Sequence, residues 1–215
     1  MNNAPQKNAS DTKRLSIGLF NDSFFPLADG VLMVVDNYAR RMSKDNDVIV
    51  FVPREGKKFD DSVFPYKVVR CLCVKLPLTD YYLPLPWLDP KFMREIRAAH
   101  LDVVHLHSPF AMGRVALKYA KKHSIPVIGT MHSQFRLDFE RTLKSEKVSE
   151  GLTKSIISVF DKCDECWAVN SEVARIYYED YHCRDYPKVA NNATDMEPVA
   201  DRAASRARIR SMHSI

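Results

Sequence analysis

Residues 15–42 read LSIGLF, then NDSFFPLADG, then VLMVVDNYARRM. The first run is short, apolar and bounded by polar residues, which predicts a buried strand. The last predicts an amphipathic helix, with Val31, Val34, Val35, Tyr38 and Met42 on one face and Asp36, Arg40 and Arg41 on the other. The segment between them is long for a strand-to-helix connection, where about 2–6 residues is usual. It also closes on Asp29-Gly30. The first N–H groups of a helix have no intrahelical acceptor, and the helix dipole adds partial positive charge there. A glycine at that point leaves room for a phosphate or a sugar to come close to the backbone.

The same alternation runs down the chain. Further strands are expected at DVIVFV (47–52), YKVVRCLCV (66–74), LDVVHLH (101–107), IPVIGTMH (125–132) and CWAVN (166–170), with one more short strand within 187–198. Helices are expected at 90–100, with Pro90 in the first turn, and at 108–123, with Ser108 as N-cap. Another is expected at 171–182, with Ser171 as N-cap. A long helical stretch should end near Cys163, with Val148, Leu152, Ile156, Val159 and Phe160 on one face. Four prolines within 75–90 exclude an ordinary helix or central strand, so that segment reads as an ordered loop carrying exposed aromatics. Strand–helix alternation of this kind predicts an α/β fold, a parallel sheet with helices on both faces. Its ligand site should lie at the carboxyl ends of the strands, where the strand order reverses. The first loop, His107, His132 and Asn170-Ser171 all fall at such ends.

Composition narrows the class. At 215 residues, 46% hydrophobic and 27% charged, the chain is long enough for a real core and ordinary for a globular protein. No apolar run approaches the length of a membrane span. The first residues lack the apolar centre of a signal peptide, so a cytoplasmic location is expected, with any membrane contact peripheral. Net charge is +5, with the cations scattered and no dense basic run interleaved with aromatics, which disfavours nucleic acid as a partner. The five cysteines are an odd number, which suggests reduced thiols. Cys163-Asp-Glu-Cys166 has redox or zinc spacing, but it falls where a helix ends, and no second such pair follows. His105 and His107 point to one face of a strand, yet no further ligand completes a metal set. His105 reads as a core polar residue and His107 as facing the cleft. The G-x-G-x-x-G fingerprint, the Walker A motif and the G-x-S-x-G elbow are all missing, which disfavours NAD or FAD binding, Walker-type phosphoryl transfer and α/β-hydrolase chemistry.

The order of these motifs resembles the N-terminal, acceptor-side half of the family-four GT-B glycosyltransferases, over roughly 13–198. The resemblance rests on the first loop ending in Gly30, on VVHLHSPFAMG, on IPVIGTMHSQF, on CWAVNSEVARIYYEDY, and on a closing turn at Asn191-Asn-Ala-Thr-Asp195. The DGV of the first loop is closest in flavour to glycolipid glucosyltransferases. The closing turn departs from the family's Asn-Gly-x-Asp. The resemblance implies a Rossmann-like domain that transfers a sugar from a nucleotide-activated donor with retention of configuration and without a metal or other cofactor. It places Asp29, Gly30 and Val31 against the donor, His132 at the reacting centre, and His107 and Ser133 toward a sugar or glycolipid acceptor. It also implies a second, nucleotide-binding domain that this sequence does not contain. Residues 1–12 would be a disordered tail and 199–215 the start of an interdomain linker helix, and the chain alone would be inactive. The alternative is a sugar- or nucleotide-binding module acting with a separate partner subunit.

Overall fold

The computed structural model describes residues 13–56, 59–76, 82–192 and 199–214. The expected tail at 1–12, the closing turn beyond Asn192, and 77–81 of the aromatic loop lie outside the described residues.

The chain opens with β1 (Ser16–Phe20), α1 (Gly30–Met42), β2 (Asp47–Pro53) and β3 (Lys67–Cys71). A hairpin of β4 (Cys73–Lys75) and β5 (Tyr82–Pro84) follows, then α2 (Pro90–Arg97), β6 (Val103–Leu106), α3 (Ala111–His123) and β7 (Val127–Met131). The rest is α4 (Phe135–Leu143), α5 (Glu146–Phe160), β8 (Glu165–Ala168), α6 (Ser171–Arg175), β9 (Lys188–Val189) and α7 (Arg202–Met212). Seven strands form one sheet in the order β3-β2-β1-β6-β7-β8-β9, every neighbouring pair parallel. Both faces are covered. Ile17, Leu19, Val48, Val50 and Val52 join Leu32, Val35 and Ala39 of α1 in one core. Phe20, Phe51, Val104 and Leu106 join residues of α2, α3 and α5 in the other. Adjacent strand residues alternate between the two cores, as a pleated strand buried on both sides requires.

Four local expectations are corrected. The single strand expected at 66–74 breaks at Leu72. The Asp89 carboxylate accepts the Leu72 N–H at 3.0 Å, and the chain then turns into the β4–β5 hairpin. The long helix before Cys163 is two helices, parted at Lys144, which sits at φ 51° and ends α4. Val148 and Leu152 are exposed, while α5 buries Ser149, Thr153, Ile156, Ile157, Val159 and Phe160. On α1 the buried face is Leu32, Val35, Asp36 and Ala39. Asp36 is buried because its carboxylate accepts from Arg40 Nε at 2.9 Å and from the Tyr66 hydroxyl, which satisfies a group that would otherwise be costly to bury. Lastly, Asn170 rather than Ser171 caps α6, taking the Val173 N–H at 2.8 Å, and the helix then loosens into a π-helical turn at Ile176–Asp180.

Candidate functional site

β1 is flanked by β2 on one side and β6 on the other, so the strand order reverses there. Two loops leave the carboxyl edge at this point, 21–29 after β1 and 107–110 after β6. Asp22 fastens them together. One carboxylate oxygen accepts from Ser108 Oγ at 2.6 Å, and the other accepts the Met112 N–H at 3.0 Å. Ser108 is therefore not the N-cap expected of it. Phe110 occupies that position and offers no side-chain acceptor, so the cap of α3 comes from a residue 90 positions earlier. Burial raises the Asp22 pKa, against the pull of these hydrogen bonds.

Within the first loop the expected donor-side residues are adjacent. Asp29 caps α1, accepting the Leu32 N–H at 2.8 Å on one oxygen and the Ser23 hydroxyl at 2.7 Å on the other. That leaves the Gly30 and Val31 N–H groups, at the first two helical positions, without intrahelical acceptors. Gly30 is exposed, and a Cβ built on it would meet nothing within 4 Å. Nothing inside this domain requires a glycine there.

The three histidines form a column. His105 is buried, with Nε2 2.6 Å from Thr130 Oγ1, as expected of a core residue. His107 is 2% exposed, so it lies beneath the cleft surface rather than on it. Its Nδ1 is 3.0 Å from His132 Nε2. His132 follows β7, is half-buried, and stands above His107 with the two rings stacked. Burial lowers all three pKa values: His105 to about 3, His132 to about 4, and His107 well below the ordinary range. The imidazoles are thus neutral at pH 7. The Asp29 carboxylate is near enough to His132 to pull its pKa upward, so the end of the first loop lies near the end of β7. Ser133 is anchored beside it by its carbonyl, which accepts from the fully buried Tyr177 hydroxyl at 2.9 Å.

Two contributors escape a reading of the sequence. Asp22 bonds partners 86 and 90 residues away, so no local pattern marks it. Glu55, just after β2, is 2% exposed and accepts the Phe24 N–H at 3.0 Å, which pins the first loop from below. Among the described residues no group of three or more His, Cys, Asp or Glu is placed to hold a metal ion. The five cysteines are free thiols.

The fold is a Rossmann-like α/β domain, with a helix N-terminus and a neutral histidine at its strand-order switch. The chain belongs to Glycosyltransferase Family 4, whose model matches residues 28–197. An alpha-monoglucosyldiacylglycerol synthase of Acholeplasma laidlawii is 30% identical over 124 residues, which are 57% of this chain and 31% of that protein. A second alpha-monoglucosyldiacylglycerol synthase, from Streptococcus pneumoniae, is 21% identical over 178 residues, 78% of this chain and 38% of that one. The chain thus spans about a third of the length of these relatives. In fold it is similar to HepE of Anabaena, solved in complex with UDP-glucose, with a TM-score of 0.61 at 13% identity, over 94% of this chain and 50% of that one.

Proposed function

We propose that this domain is the N-terminal, acceptor-side half of a retaining glycosyltransferase that moves a sugar from a nucleotide-sugar to a lipid acceptor. The observation that carries the reading is the open Gly30 at the start of α1, beside the Asp29 whose carboxylate lies near His132. The Gly30 and Val31 N–H groups and the helix dipole suit an anionic, phosphate-linked leaving group. A transferring sugar develops positive charge, as in the oxocarbenium-like transition state of glycosyl chemistry. A protonated histidine would oppose that charge. Burial keeps His132 neutral, so it can bond the sugar without repelling it. Ser133, next in the chain, borders the acceptor side, and Asp29 holds the helix start in place.

A lipid acceptor is supported by the relatives' names and by the surface around the β4–β5 hairpin. Val74, Leu83, Trp87 and Leu88 are exposed there, with Lys75 among them. Aromatic and aliphatic side chains interleaved with cations suit the interface of an anionic bilayer. No helix among the described residues is long and apolar enough to cross one.

The test begins with the mass of the protein in its own cell. A mass above 24.7 kDa by about 100–200 residues is expected, since a separate domain of that size would hold the nucleotide. In that full protein, His132→Ala should lower transfer from a nucleotide-sugar to diacylglycerol vesicles by about 10²–10³-fold, the usual loss of one preorganised group at a reacting centre. Undiminished transfer in that variant would overturn the site.

A further inference from the structure

The His107–His132 contact has only two proton arrangements. Both rings are neutral, so one hydrogen lies between Nδ1 of His107 and Nε2 of His132, 3.0 Å apart. In the first arrangement His107 donates. Its Nε2 is then a bare lone pair, and His132 carries its own proton on Nδ1. In the second His132 donates. His107 then carries its proton on Nε2, and His132 Nδ1 is bare. His107 Nε2 is fully buried with no partner among the described residues. The second arrangement therefore buries an N–H with no acceptor, and the first only an unused lone pair. Orphaned buried N–H groups are the rarer defect in folded proteins. A half-turn of the His107 ring would put Cδ2 in the place of Nδ1 and lose the contact with His132. The His107 backbone N–H donates to the Phe20 carbonyl at 2.9 Å, and its ring is held between His105, at 4.1 Å between centroids, and the edge of Tyr38.

We infer that His107 is a positioning residue that fixes His132 in its Nδ1–H form, so that His132 meets its ligand as a hydrogen-bond donor. His107 thus acts through His132 rather than on the acceptor. If the glycosyl-transfer reading above holds, the ligand atom facing His132 is an acceptor oxygen of the sugar, a hydroxyl or ring oxygen. The tautomer itself does not depend on that reading.

The test is made on this chain with ¹⁵N-labelled histidine, using two-bond ¹⁵N–¹H correlations at pH 7. The expected spectrum has His132 protonated at Nδ1 and bare at Nε2, in about tenfold excess or more over the other form, as expected when one unpaired buried N–H is avoided. His107→Asn keeps an N–H donor near the same place and should retain the Nδ1–H form. His107→Phe removes the donor and should release His132 toward Nε2–H. A proton on Nε2 of His132 in the unaltered chain overturns the inference, and that spectrum decides the matter even if a variant fails to fold. So does an unchanged His132 tautomer in a folded His107→Phe variant. Absent sugar transfer in the full protein would defeat the functional reading while leaving this spectrum as it is.

Discussion

Replacing Glu55 with glutamine should make the protein more stable, by an amount that grows as pH rises from 4.5 to about 7. Glu55 Oε2 accepts the Phe24 N–H at 3.0 Å, while Oε1 is buried without a partner among the described residues. Burial pushes its pKa from 4.5 up to about 7, the Asp29 and Asp22 charges adding to the rise and the Phe24 hydrogen bond and Arg70 opposing it. The folded chain therefore binds more protons than the unfolded chain between pH 4.5 and about 7. Stability from this group is full below 4.5 and falls as pH rises through that window. The difference amounts to about 3 kcal/mol once the carboxyl is ionised. Glutamine stands in for the protonated acid: it has the same shape, an oxygen for Phe24, no charge, and, like the acid's O–H, a donor at the partnerless position of Oε1. The two proteins should match in guanidinium denaturation near pH 4 and diverge to about 3 kcal/mol in favour of Glu55→Gln by pH 8. In thermal melts that is about 6–12 °C for a chain of this size. Parallel stability–pH curves for the two proteins would refute the reasoning, as would a glutamine variant weaker than the parent at pH 8.

Other substitutions test the cleft's frame. Asp22→Ala removes the cap of α3 and leaves Ser108 Oγ without its partner, which should cost about 1–2 kcal/mol and speed amide exchange at Met112. Gly113→Ala would place a Cβ 2.2 Å from the Ser108 carbonyl oxygen, so it should destabilise by about 1–3 kcal/mol in urea despite the better helix propensity of alanine. Gly30→Ala meets nothing within 4 Å and should leave the urea midpoint unchanged or slightly raised. In the full protein, isothermal titration should show nucleotide-sugar binding lost in that variant.

The parallel sheet was legible because its strands are buried on both faces and read as unbroken apolar runs: SIGLF, DVIVFV and VIGTM carry no competing signal. The helix starts were legible where the sequence marks them locally, as at Asp29-Gly30 closing the first loop and at Pro90 in a first turn. Reading failed where the partner is distant or the pattern ambiguous. The face of α1 was misjudged because Asp36 looks solvated until Tyr66 and Arg40 are seen to satisfy it. Ser108 looked like a cap because Asp22 cannot be placed near α3 from sequence. His132 and Gly30 stood out as a strand-end histidine and a loop-end glycine. That His107 lies under His132 rather than beside it follows from strand register, β6 pairing with β7 as Leu106 with Gly129, and only the assembled sheet supplies that.

The place of β1 also bears on how the molecule is made. It is near the start of the chain but in the middle of the sheet, paired on one edge with β2 as Ile17 with Val48, and on the other with β6 as Ile17 with Val103. A ribosome adding about 5–20 residues per second delivers β2 a few seconds after β1, but β6 only after about 4–17 s. Through that interval one edge of a strongly apolar strand has no neighbour, the kind of open edge that recruits other chains. The Asp22 clasp cannot close until α3 has emerged, so the cleft is the last part of this half of the sheet to take shape. Slower elongation through residues 54–102 should therefore lower the yield of soluble protein more than the same delay placed after α3.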